Sequence, residues 1–183
     1  MGKGTCTITT VDEGQLVRSA RAGDHAAFAA LVQRHRRRLW SVCYRITENA
    51  FDAEDALQDC LVAAWHHLDS FRGDSGFGTW LYRIAANAAL AVTRRRRPEV
   101  PEDQAPPVVT ADFSQSVVDD AVLAAALRGL PVAYRAAIVL RVVGDLSYAQ
   151  IAADQQVNVQ TVKSRISRGR ALLRDALRTP DPV

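Results

Sequence analysis

The chain has little of what covalent or redox chemistry requires. It holds three cysteines, Cys6, Cys43 and Cys60. So sparse and odd a set does not make a disulfide framework, and no Cys-x-x-Cys or His/Cys pair stands at metal-ligand spacing. Cys43 and Cys60 fall among apolar helical positions, where a thiol serves as a small hydrophobe. No run of eighteen apolar residues occurs, so no transmembrane helix or membrane insertion is expected. The start, MGKGTCTITTVDEGQ, lacks the basic and apolar regions of a secretory signal, and Cys6 stands where a myristoylation signal needs Ser or Thr. There is no Walker A loop, Rossmann fingerprint or Gly-x-Ser-x-Gly elbow. The four histidines, at positions 25, 35, 66 and 67, have no nucleophile nearby. The expectation is a cytoplasmic protein that is not an enzyme and uses neither cofactor nor metal.

What remains is a helical, unevenly charged chain. Its 183 residues allow one ordinary domain or two small ones, and 48% apolar residues suffice for a core. Ala and Arg are abundant and β-branched runs are short, which favours helices. The net charge is only +3, yet residues 1–97 hold 14 basic and 10 acidic side chains, and residues 98–127 hold six acids and no base. Residues 128–178 return to 9 basic against 3 acidic. Two basic blocks divided by an acidic one suggest two modules on a polyanion.

The segment RPEVPEDQAPPVVTADFSQ, with four prolines and no helical period, reads as a flexible linker. The expected organisation is an N-terminal segment (1–23), a helical domain (24–97), a linker (98–115), a second helical domain (116–178) and a tail (179–183). In the first domain Asp24 is the expected N-cap of a long helix with Phe28, Leu31, Val32, His35, Leu39, Val42 and Ile46 on one stripe. A turn at Thr47–Phe51 and a helix from near Asp52 follow, with Leu57, Leu61, Ala64 and Leu68 inward. A Gly-rich loop leads into TWLYRIAANAALAVTRRRR, stopped by Pro98. In the second domain Gly144 is the expected left-handed helix end, and Ser147 with Gln150 a capping box.

The segment LSYAQIAADQQVNVQTVKSRISRGR is the most specific signal. A short helix carries Ile151 and Ala152 inward, a turn is centred on Val157, and the next helix puts Val159, Val162 and Ile166 on one face. That spacing makes a helix-turn-helix whose second helix reaches a major groove. A Gln on such a helix can pair with adenine and an Arg or Lys with guanine, and Lys163, Arg168 and Arg170 suit phosphates. The bland alternative is a helical hairpin with a solvated basic face. Arg94-Arg95-Arg96-Arg97 either complements a helix dipole or grips a DNA backbone; a second cluster, Arg34 to Arg38, adds weight to the latter. Asp52, Glu54, Asp55 and Asp59, with Gln58 between, are more acids than capping needs. Asp52, Asp55 and Asp59 share a face that should avoid DNA and meet a basic protein partner; the alternatives are a solvated face and, more weakly, a carboxylate metal site, which has no His ligand placed beside it. In the loop from Phe71 to Phe77, the aromatics and Arg72 could stack on unpaired bases, or Phe77 and Trp80 could anchor a tight turn in the core.

The order DAEDALQD, SFRGDSGFGTWLYRIAANAAL, RRRR, linker, LRGLPVAYRAAIVLR, LSYAQIA and VKSRISRGRALLR resembles the bacterial extracytoplasmic-function sigma factors, over roughly residues 12–178. The resemblance implies a two-domain, all-α protein that recruits core RNA polymerase to promoter DNA. It implies that Asp52, Glu54, Asp55, Gln58 and Asp59 dock on the β′ clamp helices, and that the β flap of the polymerase is a further contact. It implies a −10 surface of Phe71, Arg72, Gly73, Asp74, Ser75, Phe77, Arg83, Asn87, Arg94, Arg95, Arg96 and Arg97. Gln160, Thr161, Lys163, Ser164, Arg165 and Arg168 would read the −35 element. An anti-sigma factor is a further implied partner. The chain departs from the family pattern at Ala91, where Asp is frequent, and at Gln156-Val157-Asn158, where Gly-x-Pro is usual. The alternatives are a dimeric helix-turn-helix regulator, which leaves the acidic helix and aromatic loop without a role, and a cytosolic enzyme with a basic surface.

Overall fold

A computed structural model describes residues 12–96 and 120–178. Cys6, Arg97, the expected linker 98–115 and the tail 179–183 lie outside the described residues. All regular structure among the described residues is helical, in two consecutive sets. The first set is α1 (Glu13–Arg21), α2 (His25–Thr47), α3 (Ala50–His66), a 3-10 turn (Leu68–Ser70) and α4 (Phe77–Arg96). The second is α5 (Asp120–Arg128), α6 (Val132–Val142), α7 (Tyr148–Gln155) and α8 (Val159–Arg178).

Local chemistry fixes the helix ends. Asp24 Oδ1 accepts the amides of Ala26 and Ala27 at 2.9 and 3.1 Å, which caps α2 as expected. Glu48 ends α2 in the left-handed region, and Asn49 Oδ1 then accepts the amides of Phe51 and Asp52. Asn49 is the cap of α3, so this helix begins two residues before the position near Asp52 that its acids suggest. Along α2, Leu31, Leu39, Val42 and Ile46 are fully buried. α4 brings Leu81, Ala85, Ala86 and Ala89, all without exposure, against α2 and α3. Three alanines at the contact let the helix axes approach closely.

α1 is a helix that the periodicity before Gly23 did not announce. It buries Val17 and Ala20 on α2, and its Arg21 Nη2 donates to the carbonyls of Asp69 and Phe71, both at 2.7 Å. In the second set, Ser147 and Gln150 form the expected capping box. The turn after α6 differs from expectation. The left-handed residue is Asp145 (φ 54), not Gly144. Gly144 is needed for space: a Cβ there would lie 2.8 Å from the Leu140 carbonyl oxygen and 2.8 Å from Leu146 Cδ1. α8 crosses α6 at Gly169, where a Cβ would meet Ile138 Cδ1 at 2.6 Å and Tyr134 Cβ at 3.3 Å.

The two sets touch. α6 lies on α2 and α4, and α7 lies on α4. Ala136, Ala137, Leu140, Ile151, Ala152 and Val162 belong to the same buried apolar cluster as Leu39, Val42 and Leu81. At this contact Arg135 of α6 is 5% exposed, and its guanidinium donates to the Ile46 carbonyl at 2.6 Å and to the Leu127 carbonyl at 3.2 Å. Both carbonyls sit in last helical turns, where acceptors lack a partner within the helix and the dipole favours a cation. Burial raises the carboxyl pKa of neighbouring Glu48, and Arg135, Arg128 and Arg45 pull it back.

Cys43 and Cys60 are buried, and burial pushes both thiols up to about 12. The thiolate is the reactive form. Iodoacetamide at pH 8 is therefore expected to leave both unmodified in the native protein and to modify both in denaturant, as mapped by peptide mass spectrometry. Labelling of either in the native state would contradict this core.

Candidate nucleic-acid interface

α8 is the best-formed part of the candidate interface. Gln156 takes the left-handed conformation (φ 55) that ends α7, and Asn158 Oδ1 accepts the Thr161 amide at 2.7 Å and its hydroxyl at 3.0 Å. The Gln156-Val157-Asn158 turn thus divides the work between a left-handed residue and a cap, without Gly or Pro. Val162 and Ile166 are buried as the spacing predicts, whereas Val159 is 39% exposed. Gln160, Lys163 and Ser164 are exposed; Thr161, Arg165 and Arg168 are half-buried. The Thr161 hydroxyl is engaged at the cap, and Arg165 Nη1 donates to Gln155 Oε1 at 2.9 Å. Gln160 and Lys163 are therefore the presented side chains; Ser164 is exposed with its hydroxyl donated to the Thr161 carbonyl at 3.0 Å, and Thr161 and Arg165 shape the turn.

On α3 the acids separate into two environments. Glu54, Asp55, Gln58 and Asp59 are exposed, but Asp52 is 7% exposed and points to α4, with its Oδ1 2.8 Å from Arg96 Nη1. Asp59 Oδ2 accepts from Arg95 Nη2 at 2.9 Å across the same seam. The sequence puts the acidic helix and the arginine run 35 or more residues apart; the fold makes them neighbours. Asp55, Gln58, Asp59, Val92, Arg95 and Arg96 line one shallow groove between the helices. Exposed Phe51 and Val62 flank the acids on α3.

The Gly-rich loop divides similarly. Phe71 and Phe77 are 9% and 2% exposed and pack with half-buried Trp80 at centroid distances of 5.4 and 5.5 Å. Their rings anchor the loop in the core. Arg72, Gly73 and Asp74 are exposed on it, Ser75 is half-buried, and Gly73 has a positive φ (81). Arg21 of α1, unnoticed in the sequence, holds the loop's entry through the Phe71 carbonyl.

Along α4, Arg83, Asn87 and Arg94 follow one another at helical spacing, with Arg94, Arg95 and Arg96 exposed at the end. The row is not open throughout. Asp154 Oδ1, on α7, accepts from Arg83 Nε at 3.2 Å and from Asn87 Nδ2 at 3.0 Å. Burial raises the Asp154 carboxyl, and Arg83 and Asn87 draw it back. Sequence reasoning missed Asp154 because nothing local to α7 requires a carboxylate there. Among the described residues no group of three or more His, Cys, Asp or Glu could hold a metal.

Comparison with known proteins agrees with this layout. The family model for sigma-70 region 2 matches residues 31–99, and that for sigma-70 region 4 matches residues 121–173. The chain is 34% identical to the ECF RNA polymerase sigma factor SigW of Bacillus subtilis, over 88% of this chain and 95% of that one. Among solved structures it is similar to CnrH in complex with the cytosolic domain of CnrY, with a TM-score of 0.63 and 32% identity, over 90% of this chain and 96% of CnrH. It is also similar to the sigma factor RpoE of Bartonella quintana, solved with the anti-sigma factor NepR, with a TM-score of 0.65 and 28% identity, over 84% of this chain and 98% of RpoE.

The cap makes a testable point. Asn158→Ala removes the acceptor at the start of α8 and is expected to cost about 0.5–2 kcal/mol of stability. Faster hydrogen exchange confined to the first turn of α8 would be its signature; unchanged exchange there would contradict the assigned cap.

Proposed function

The chain belongs to the extracytoplasmic-function sigma factors of the sigma-70 family, and on that premise we propose which of its surfaces carries each step of initiation. As a member of that family it is an initiation factor rather than an enzyme: it binds core RNA polymerase and directs it to promoters. The finer assignment rests on one observation above all. Exposed carboxylates on α3 and exposed arginines on α4 lie side by side, so one domain can meet a basic protein surface and a DNA backbone together.

In this reading Glu54, Asp55, Gln58 and Asp59 dock on the β′ clamp helices, while Asp52 holds Arg96 and fixes the seam. Arg72, Asp74 and Ser75 on the loop, with Arg83, Asn87 and Arg94 to Arg96 on α4, take the −10 strand. Arg97 would extend that row. Phe71 and Phe77 give the loop its rigid base and act on DNA only through its shape. Gln160, Lys163 and Ser164 read the −35 major groove, with Thr161, Arg165 and Arg168 in support. The second helical set also meets the β flap. Extruding a base costs a few kcal/mol, so the −35 and polymerase contacts must offset melting at −10. Free DNA alone is then held weakly and with strong salt dependence. The protein works in the cytoplasm, where its template is. An anti-sigma partner is supported by the RpoE relative solved with one.

Joint replacement of Glu54, Asp55 and Gln58 by Ala alters only exposed side chains. It is expected to weaken binding to core polymerase about tenfold or more in a competition assay, with duplex −35 binding unchanged. Lys163→Ala is expected to do the reverse and to lower the salt slope of DNA binding by about 1. Core binding by the triple variant equal to that of the wild type would refute the α3 assignment.

A further inference from the structure

Three arginines of α2 have no part in the proposed function. Arg36, Arg37 and Arg38 are all exposed, and among the described residues none of them holds a carboxylate. Arg83, Arg95 and Arg96 of α4 differ, since each is paired with an aspartate. An arginine without a partner gains more from a phosphate, because no ion pair has to break first. The cluster also lies beside the loop. His35, just before it, turns inward: its ring centroid is 6.1 Å from that of Phe77, its Nδ1 is 3.1 Å from the Tyr82 hydroxyl, and its Nε2 is 3.2 Å from Glu13 Oε2. A Cβ at Gly78 would fall 2.7 Å from His35 Cε1, so α2 and the start of α4 touch at this level. The α2 arginines therefore stand level with the base of the loop, at the end of α4 opposite Arg94, Arg95 and Arg96.

The aromatic residues that follow give this surface a second chemistry. Trp40 lies three residues after Arg37 and four after Arg36, and Tyr44 lies four after Trp40, so these side chains share one side of the helix. The two rings are half-buried and nearly parallel, with centroids 6.2 Å apart and 14° between their planes. Arginines beside aromatic rings suit an unpaired strand: the first take its phosphates and the second its base faces. A duplex keeps its base faces stacked inside and offers the helix only phosphates. We propose that α2 is a second nucleic-acid surface, on which Arg36, Arg37 and Arg38 with Trp40 hold the unpaired strand where it leaves the −10 loop. This rests on the reading that the loop and α4 take the −10 strand. The −35 duplex lies upstream, so the unpaired DNA continues past the loop on the other side, and α2 offers it a charged track there. Holding that strand offsets part of the cost of melting.

The test uses the full chain and a fluorescent single-stranded 20-mer of thymidine, with anisotropy read over a salt series. The wild type is expected to bind at low salt. Joint Arg36→Ala, Arg37→Ala and Arg38→Ala is expected to weaken binding about tenfold and to lower the salt slope by about 2, the share of three phosphates on a single strand. Joint Arg18→Ala, Arg128→Ala and Arg178→Ala makes the same charge change at exposed positions and is expected to leave affinity within about twofold. Trp40→Leu is expected to weaken binding about fivefold at an unchanged salt slope, and Trp40→Phe, which keeps a ring, to stay near the wild type. The proposal is overturned by any of four results: no binding by the wild type, equal losses in the two triple variants, a loss as large for a 20-base-pair duplex as for the single strand, or wild-type affinity in Trp40→Leu. Joint Arg72→Ala and Arg94→Ala probes the reading beneath it. Unchanged binding in that variant, with the loss in the α2 triple, would refute the −10 assignment and leave the α2 surface standing; the reverse would refute the α2 surface alone.

Discussion

The rest of the structure depends on how closely α4 packs. Ala85, Ala86 and Ala89 carry no bulk, so α2 and α3 close on one side of this helix with nothing exposed between them. Every other role of α4 follows. Because its inner side is given to small apolar residues, its polar residues share the outside. Because α3 is drawn so near, Asp52 and Asp59 fall within ion-pair reach of Arg96 and Arg95. And because α6 and α7 also rest on α4, the same helix supports the joint between the two domains.

The ion pairs along the α3–α4 seam matter for position more than for stability. The Arg95–Asp59 pair is more than half exposed on both sides, where such pairs contribute at most about 1 kcal/mol. Asp52 is different: nearly covered, it keeps Arg96 folded back over the seam. The result is an acidic stripe and a basic stripe joined edge to edge along one seam, the arrangement on which the proposed function draws.

Most of the local structure was legible. Asp24 and Ser147 with Gln150 act within a few residues of themselves, and their caps came out as read; along the α2 stripe Leu31, Leu39, Val42 and Ile46 are buried, while Phe28, Val32 and His35 are half-buried. The turn before α8 was legible as a turn, though the left-handed residue is Gln156 and the cap Asn158. Gly144 was misread in kind, since its reason is a close approach to Leu140 and Leu146 while Asp145 supplies the positive φ. α1 was missed because it is only nine residues long and buries only Val17 and Ala20 fully. Of the site, the residue types were visible and their company was not. Arg83 meets Asp154 across 71 positions and Arg135 meets Ile46 across 89. No periodicity encodes such partners; they follow from which helix faces remain to be covered once each domain has packed.

In the proposed function one small chain grips promoters at two points and acts only with polymerase. Run-off transcription from a genomic promoter library, with RNA 5′ ends sequenced, checks both halves of that grip at once. The expected transcripts need both the chain and core polymerase, and their starts share two upstream motifs at one fixed spacing. Transcripts that core polymerase makes equally well alone, or starts sharing only one motif, would contradict it.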